Sequence, residues 1–260
     1  LKDNDEIVGS FAIKIRSWYY LGMLNVFVSG LQRQSGKTIV TTGLAATMQS
    51  LSYSTSVYKP IQTGAISLGN FRSSPDLACM KRIDPNVSTH STYLLKSTAS
   101  PFVSSYEDGL KVDLNTIYSE FQGLKLSDCC IVEGSNSIST PVAKDFTEVD
   151  IVKALRIPMI LVVNAKITPM SEVISGLKYI YSERVDFLGV IINQYNENSE
   201  NLEEKYFPQI LKEFCDVKIL GTLPDYGEVS SIVPEVLIED ILTNINIEEV
   251  FGLKIAKLNS

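Results

Sequence analysis

The apolar run Leu24-Asn25-Val26-Phe27-Val28-Ser29 is followed, after six intervening residues, by Gly36-Lys37-Thr38 at the head of a segment with helical character. Strand, glycine-bearing loop, Lys-Thr and helix is the order required of a phosphate-binding loop, so this junction commits the chain to a parallel α/β unit. The backbone N–H groups of such a loop and the positive end of its helix create an anion site. Gln34, Ser35 and Gly36 are then expected around phosphate, with Lys37 reaching its outer groups and Thr38 placing a hydroxyl on magnesium. The spacing departs from G-x-x-x-x-G-K-[ST], because position 31 is Leu31 and the leading glycine is Gly30. An ordinary Gly-Lys-Thr turn is the alternative.

Downstream, strands and helices keep alternating. The pattern predicts strands at 24–29, 56–58, 129–132, 158–163, 187–192 and 217–220. Helices are expected near 36–50, 75–82, 114–121, 147–155, 170–181 and 201–214, with a helical tail from 235. This indicates an α/β fold, a three-layer doubly wound and mostly parallel sheet of the P-loop NTPase type. Met159-Ile160-Leu161-Val162-Val163 is apolar throughout, as a central strand buried on both faces would be. One domain over residues 23–260 accounts for the chain, with residues 1–22 as an N-terminal extension of unknown role and Met23 as a possible start of the domain.

Composition narrows the partners. The net charge is −7 and no Lys/Arg cluster forms a basic surface, which argues against a nucleic-acid partner. No apolar stretch approaches the roughly 20 residues of a membrane helix, and residues 1–22 lack a basic start and a secretory core. Cys79, Cys129, Cys130 and Cys215 show no metal-ligand spacing and His90 is the single histidine, so buried reduced thiols in a cytoplasmic protein are expected rather than zinc.

In an open parallel sheet, ligands bind beyond the carboxyl ends of the strands. Lys37-Thr38, Lys59, Glu133, Asn164 and Asn193 all fall at such ends, and together they define one edge. Glu133 and Thr38 offer hard oxygen donors suited to magnesium, although a solvated strand-end carboxylate is the alternative. Asp76, in Ser74-Pro75-Asp76-Leu77, reads equally as a helix cap or a metal ligand. Pro60 stiffens the backbone at Lys59, which reads as a held ammonium or a solvated charge.

The collinear series of motifs resembles the dethiobiotin synthetase family, from about residue 24 to residue 227. It comprises Gly30 with Gly36-Lys37-Thr38, Lys59-Pro60-Ile61-Gln62-Thr63-Gly64 and Ser74-Pro75-Asp76-Leu77-Ala78. Thr98-Ala99-Ser100-Pro101, Tyr106-Glu107-Asp108-Gly109, Val132-Glu133-Gly134 with Thr140-Pro141, the 158–163 strand, Asn193 and Gly221-Thr222-Leu223-Pro224 complete it. The resemblance implies ATP and Mg2+ as cofactors, with Thr38, Asp76 and Glu133 as metal and phosphate ligands. It implies Lys37 and Lys59 as catalytic cations, and Asn193 and Pro224 around the adenine. Thr63 is an implied substrate contact and Asn136 a candidate for the same role, while Arg33 would meet the phosphates, the substrate carboxylate or solvent.

The implied substrates are 7,8-diaminononanoate and CO2 or bicarbonate, the implied assembly a homodimer. A carbamate formed on one amine would attack the γ-phosphate, and the second amine would close the ureido ring and expel phosphate. Two loops depart from the family pattern. Leu31-Gln32-Arg33-Gln34-Ser35 replaces Thr-x-Thr-Glu/Asp-Val, and Ser135-Asn136-Ser137 replaces Ala-Gly-Gly. A ligase acting on another amine or carboxylate, and a non-catalytic nucleotide sensor, are therefore the competing readings. ParA-type ATPases are disfavoured, since Leu31 and Gln32 stand where their second signature lysine belongs.

Overall fold

The structure, a computed structural model, describes residues 24–124 and 126–254. The expected extension over residues 1–22, and Met23, lie outside the described residues. The chain begins with β1 (Leu24–Gly30), α1 (Lys37–Ser50) and β2 (Thr55–Tyr58), followed by β3 (Ile61–Thr63), β4 (Ile66–Leu68), β5 (Phe71–Ser73) and α2 (Pro75–Ile83). Next come β6 (Ser88–His90), β7 (Tyr93–Leu95), α3 (Pro101–Glu107), α4 (Leu114–Gly123), β8 (Cys129–Glu133), α5 (Glu148–Leu155) and β9 (Met159–Asn164). The last part holds α6 (Met170–Glu183), β10 (Phe187–Asn193), α7 (Leu202–Lys205), α8 (Phe207–Cys215), β11 (Ile219–Thr222), α9 (Pro234–Asn244) and α10 (Ile247–Phe251).

Seven strands form one sheet in the order β11-β10-β9-β1-β8-β2-β6. Every pairing in it is parallel. The middle position belongs to β1, with the wholly buried β9 beside it. Strand order reverses at β1, which places the loop after it at the switch point where doubly wound folds bind ligands.

Side chains alternate between the two faces of a strand, and this alternation sorts the site. On one face Val26, Val28, Val57, Cys129, Ile131, Ile160, Val162 and Ile191 pack under α1, α2, α9 and α10. On the other, Phe27, Tyr58, Cys130, Val132, Leu161 and Ile192 pack under α4, α5, α6 and α8. Counting on by two, Lys59, Glu133, Asn164 and Asn193 all belong to the α1 face. Ser29 points to the other.

The structure departs from the sequence expectations in five places, one of them α3, which lies outside every expected helix. The edge strand β6 was not expected, because Ser-Thr-His lacks an apolar signature. The stretch between β2 and α2 forms β3, which pairs with β7, and the hairpin β4–β5. The single helix expected over 201–214 is two, because Pro208 in the first turn of α8 cannot continue the backbone bonding of α7. Cys129 and Cys130 are buried as expected, whereas Cys79 and Cys215 are only half-buried; all four are free. Among the described residues no helix is long and apolar enough to cross a membrane.

Candidate active site

Pairing of Tyr58 with Val132 and of Val28 with Glu133 brings Lys59 level with Glu133 at the sheet edge. Lys59 Nζ lies 2.7 Å from Glu133 Oε1 and 2.6 Å from Asp76 Oδ2, and it donates to the Gly134 carbonyl at 3.2 Å. Both Lys59 and Glu133 are 2% exposed. Burial alone would lower the lysine pKa, but the Glu133 and Asp76 carboxylates override it and hold the ammonium above the ordinary lysine range. Burial raises the Glu133 carboxyl, against the opposing pull of Lys59. The solvated readings of Lys59 and Glu133 are thereby excluded.

The two readings of Asp76 also separate. Ser74 is the N-cap of α2, its Oγ accepting from Leu77 N–H at 3.1 Å, which leaves the Asp76 carboxylate to Lys59. Thr38, in the first turn of α1, donates to Glu133 Oε1 at 2.9 Å. Lys37 Nζ donates to the carbonyls of Asn136 at 2.7 Å and Gln32 at 3.1 Å, with Ser35 Oγ at 3.4 Å. Burial brings the Lys37 pKa down to about 8, with Glu148 opposing and Lys59 reinforcing the shift.

Two strand-end asparagines, side by side in the register of β9 and β10, hold the phosphate loop. Asn164 Nδ2 donates to the Gln34 carbonyl at 3.0 Å, and Asn193 Nδ2 to the Ser35 carbonyl at 3.3 Å. With its carbonyls drawn down to these amides, the loop is anchored over the sheet edge. Leu31, where strict spacing would have glycine, lodges against α6 at Gly176, where an added Cβ would come within 2.2 Å of Leu31 Cδ2.

A cavity of about 370 Å³ is lined by Arg33, Gln34, Gly36, Lys37, Thr38, Lys59, Thr63, Asp76, Glu133, Asn136 and Asn193, all expected from sequence. Ser35 is buried behind the loop and Pro224 is exposed; neither lines the cavity. Gln62, Thr98 and Ser135, named in the sequence motifs but given no role there, line it as well, as does Gln194. Gln62 and Gln194 adjoin residues that had been given one, so proximity was the available signal. Arg33 is held at the rim, donating from Nε to Asn136 Oδ1 at 2.9 Å and from a terminal nitrogen to the Ala99 carbonyl at 3.0 Å.

The donor set suits a hard cation. Thr38, Asp76 and Glu133 contribute oxygens only, too few to enclose an ion, and Mg2+ keeps water and substrate phosphate in its sphere. Asn193 Oδ1 is buried without a hydrogen-bond partner, an acceptor fit for a ligand N–H. These features fit a nucleotide and its metal.

Residues 25–232 match the model of a family described as AAA domain (AAA_26). The chain belongs to this family. Within reach of the family by sequence, an ATP-dependent dethiobiotin synthetase of Bacillus subtilis (strain 168) is 26% identical over 229 residues, covering 86% of this chain and 96% of the relative. One from Nitrosopumilus maritimus (strain SCM1) is 26% identical over 212 residues, covering 80% and 92%. Among solved structures, a ParA family ATPase from Chlorobium tepidum TLS superposes with a TM-score of 0.55 at 12% identity, over 88% of this chain and 96% of that one. The septum site-determining protein MinD from Pyrococcus horikoshii OT3, complexed with Mg-ADP, gives 0.51 at 15%, over 87% and 88%. The structural likenesses show that these two proteins share the parallel α/β fold of this chain.

Proposed function

We propose that this chain is an ATP-dependent dethiobiotin synthetase that uses Mg2+ to carboxylate 7,8-diaminononanoate with CO2 or bicarbonate and close the ureido ring. The observation that carries this reading is the Lys59 ammonium, buried between Asp76 and Glu133 on the same cavity as Lys37. A nucleotide sensor needs a phosphate grip; a second buried cation across from it serves charge that develops during transfer. Thr38, Asp76 and Glu133 would hold the metal, which when bound neutralises phosphate charge. Lys37 and Lys59 orient and offset the transferring oxygens, and no activated cysteine or serine is required. Thr63, Arg33 and Asn136 line the acceptor side of the cavity.

A homodimer in the cytoplasm is part of the proposal. Exposed Phe71, Phe102, Val103 and Tyr106 support the first, and four free thiols the second. Light scattering that returns a monomer would remove the dimer.

Incubation with ATP, Mg2+, bicarbonate and 7,8-diaminononanoate is expected to yield dethiobiotin, detected by mass spectrometry and lost when any component is omitted. ATP binding without product would transfer the reading to another acceptor, for which Arg33 at the rim would favour an anionic group. Asn193 is expected to read adenine. Because Asn193 also anchors the phosphate loop, Asn193→Ala should weaken both nucleotides, with ATP losing about tenfold more affinity than inosine triphosphate, which lacks the adenine amino group. Equal losses for the two nucleotides would separate Asn193 from base recognition.

A further inference from the structure

Glu148 opens α5 on the face of the sheet opposite Lys59, and sequence reasoning gave it no role. Its side chain is buried, 1% exposed. Oε1 accepts from Ser29 Oγ at 2.6 Å. Oε2 accepts from Ser135 N–H at 2.7 Å, Ser135 Oγ at 2.9 Å and Asn136 N–H at 3.3 Å. A Cβ on Gly134 would fall 2.2 Å from Oε1, so the loop after β8 is seated directly on this carboxylate. Asp150 Oδ2 accepts from the Thr147 N–H at 2.8 Å and from its Oγ1 at 3.1 Å, which fixes the backbone from which Glu148 projects. The Glu148 carboxylate is committed to the loop and to β1.

What the loop does next gives the carboxylate its significance. Asn136, whose N–H is held by Glu148, presents its carbonyl to Lys37 Nζ at 2.7 Å and its side-chain oxygen to Arg33 Nε at 2.9 Å. One residue thus touches both cations on that side of the cavity. We propose that Glu148 is a positioning residue for both cations: by gripping the 134–136 backbone from beneath, it sets where Asn136 holds Lys37 and Arg33. Charge-assisted bonds from a buried carboxylate to backbone N–H groups are short and directional, which suits them to fix a loop that lacks regular structure. Ser29 completes the device, because it ties the same carboxylate to β1 immediately before the phosphate loop begins.

The inference rests on the nucleotide reading of the cavity and is independent of the acceptor. It is tested by calorimetric titration with Mg-ADP, which returns stoichiometry and Kd separately. Glu148→Gln keeps the volume but loses the charge; Glu148→Asp keeps the charge but is one methylene short of spanning Ser29 and Ser135. Misplacement of a site group by about 1 Å can cost two orders of magnitude, so a Kd raised about 10- to 100-fold at unchanged stoichiometry is expected in both. In a double variant with Lys37→Ala, the two losses should be less than additive, since Glu148 acts through what Lys37 touches. A residue serving only the fold would lower the stoichiometry of competent protein and leave Kd as in the wild type; that result, or full additivity, would overturn the inference. Absence of Mg-ADP binding by the wild type would overturn the nucleotide reading and this inference with it.

Discussion

Lys59→Ala is expected to abolish turnover and to destabilise the fold in the same stroke. Glu133 is buried, and Lys59 opposes the rise that burial imposes on its carboxyl. Removing one partner of a buried ion pair costs about 3–5 kcal/mol, because the other is left uncompensated. Against a total stability of about 5–15 kcal/mol, that is a large share. The protein that remains folded should still bind nucleotide, because Asn193, Asn164 and the loop they anchor are untouched. Chemistry and stability separate in a double variant, Lys59→Met with Glu133→Gln. It removes both charges, should recover much of the lost unfolding free energy in urea, and should stay inactive. Turnover at the wild-type rate by Lys59→Ala would remove Lys59 from the mechanism. A urea midpoint equal to the wild type would show that Glu133 is not held by this lysine.

Gly36→Ala is expected to eliminate nucleotide binding. Gly36 sits at φ +92°, a left-handed conformation that costs a side-chain-bearing residue of order 1–3 kcal/mol. The larger problem is space. A Cβ there would come 1.9 Å from Asn193 Nδ2 and 2.7 Å from its Cγ. Asn193 would have to move, releasing the Ser35 carbonyl and with it the loop above the sheet edge. Loss of affinity by about 100-fold or more is expected in calorimetry. Gly109→Ala is the control for backbone strain alone: φ is +64° and an added Cβ meets nothing within 4 Å. It should lose stability by about 1 kcal/mol and bind nucleotide as the wild type does. Equal affinities for wild type and Gly36→Ala would mean that the loop can reorganise around Asn193.

Much of this site could be read from residue order, since one rule placed it: polar residues at the ends of parallel apolar strands share an edge. Lys59, Glu133, Asn164 and Asn193 obeyed that rule and, by the alternation of their strands, the same face. Asp76 was harder, because Ser-Pro-Asp is cap chemistry as well as ligand chemistry; only the bond from Leu77 to Ser74 separated them. Glu148 was illegible for a related reason, as an acidic residue in the first turn of a helix is ordinary dipole complementation until its burial is known. Pro224 was placed by resemblance and is exposed outside the cavity lining. The edge strand β6 carried no apolar signal, and the break between α7 and α8 was marked only by Pro208.

The middle position of β1 has a consequence in time. The first strand of the sheet to leave the ribosome is the one whose neighbours arrive late: Leu24 pairs with Cys129, and Phe27 with Met159. At about 5–20 residues per second, the nascent segment that will grip phosphate waits several seconds before either flanking strand exists. Its asparagine anchor at Asn193 is made later still. Ligand therefore cannot assist the early part of synthesis, and until β8 and β9 emerge the edges of β1 are open to wrong pairing.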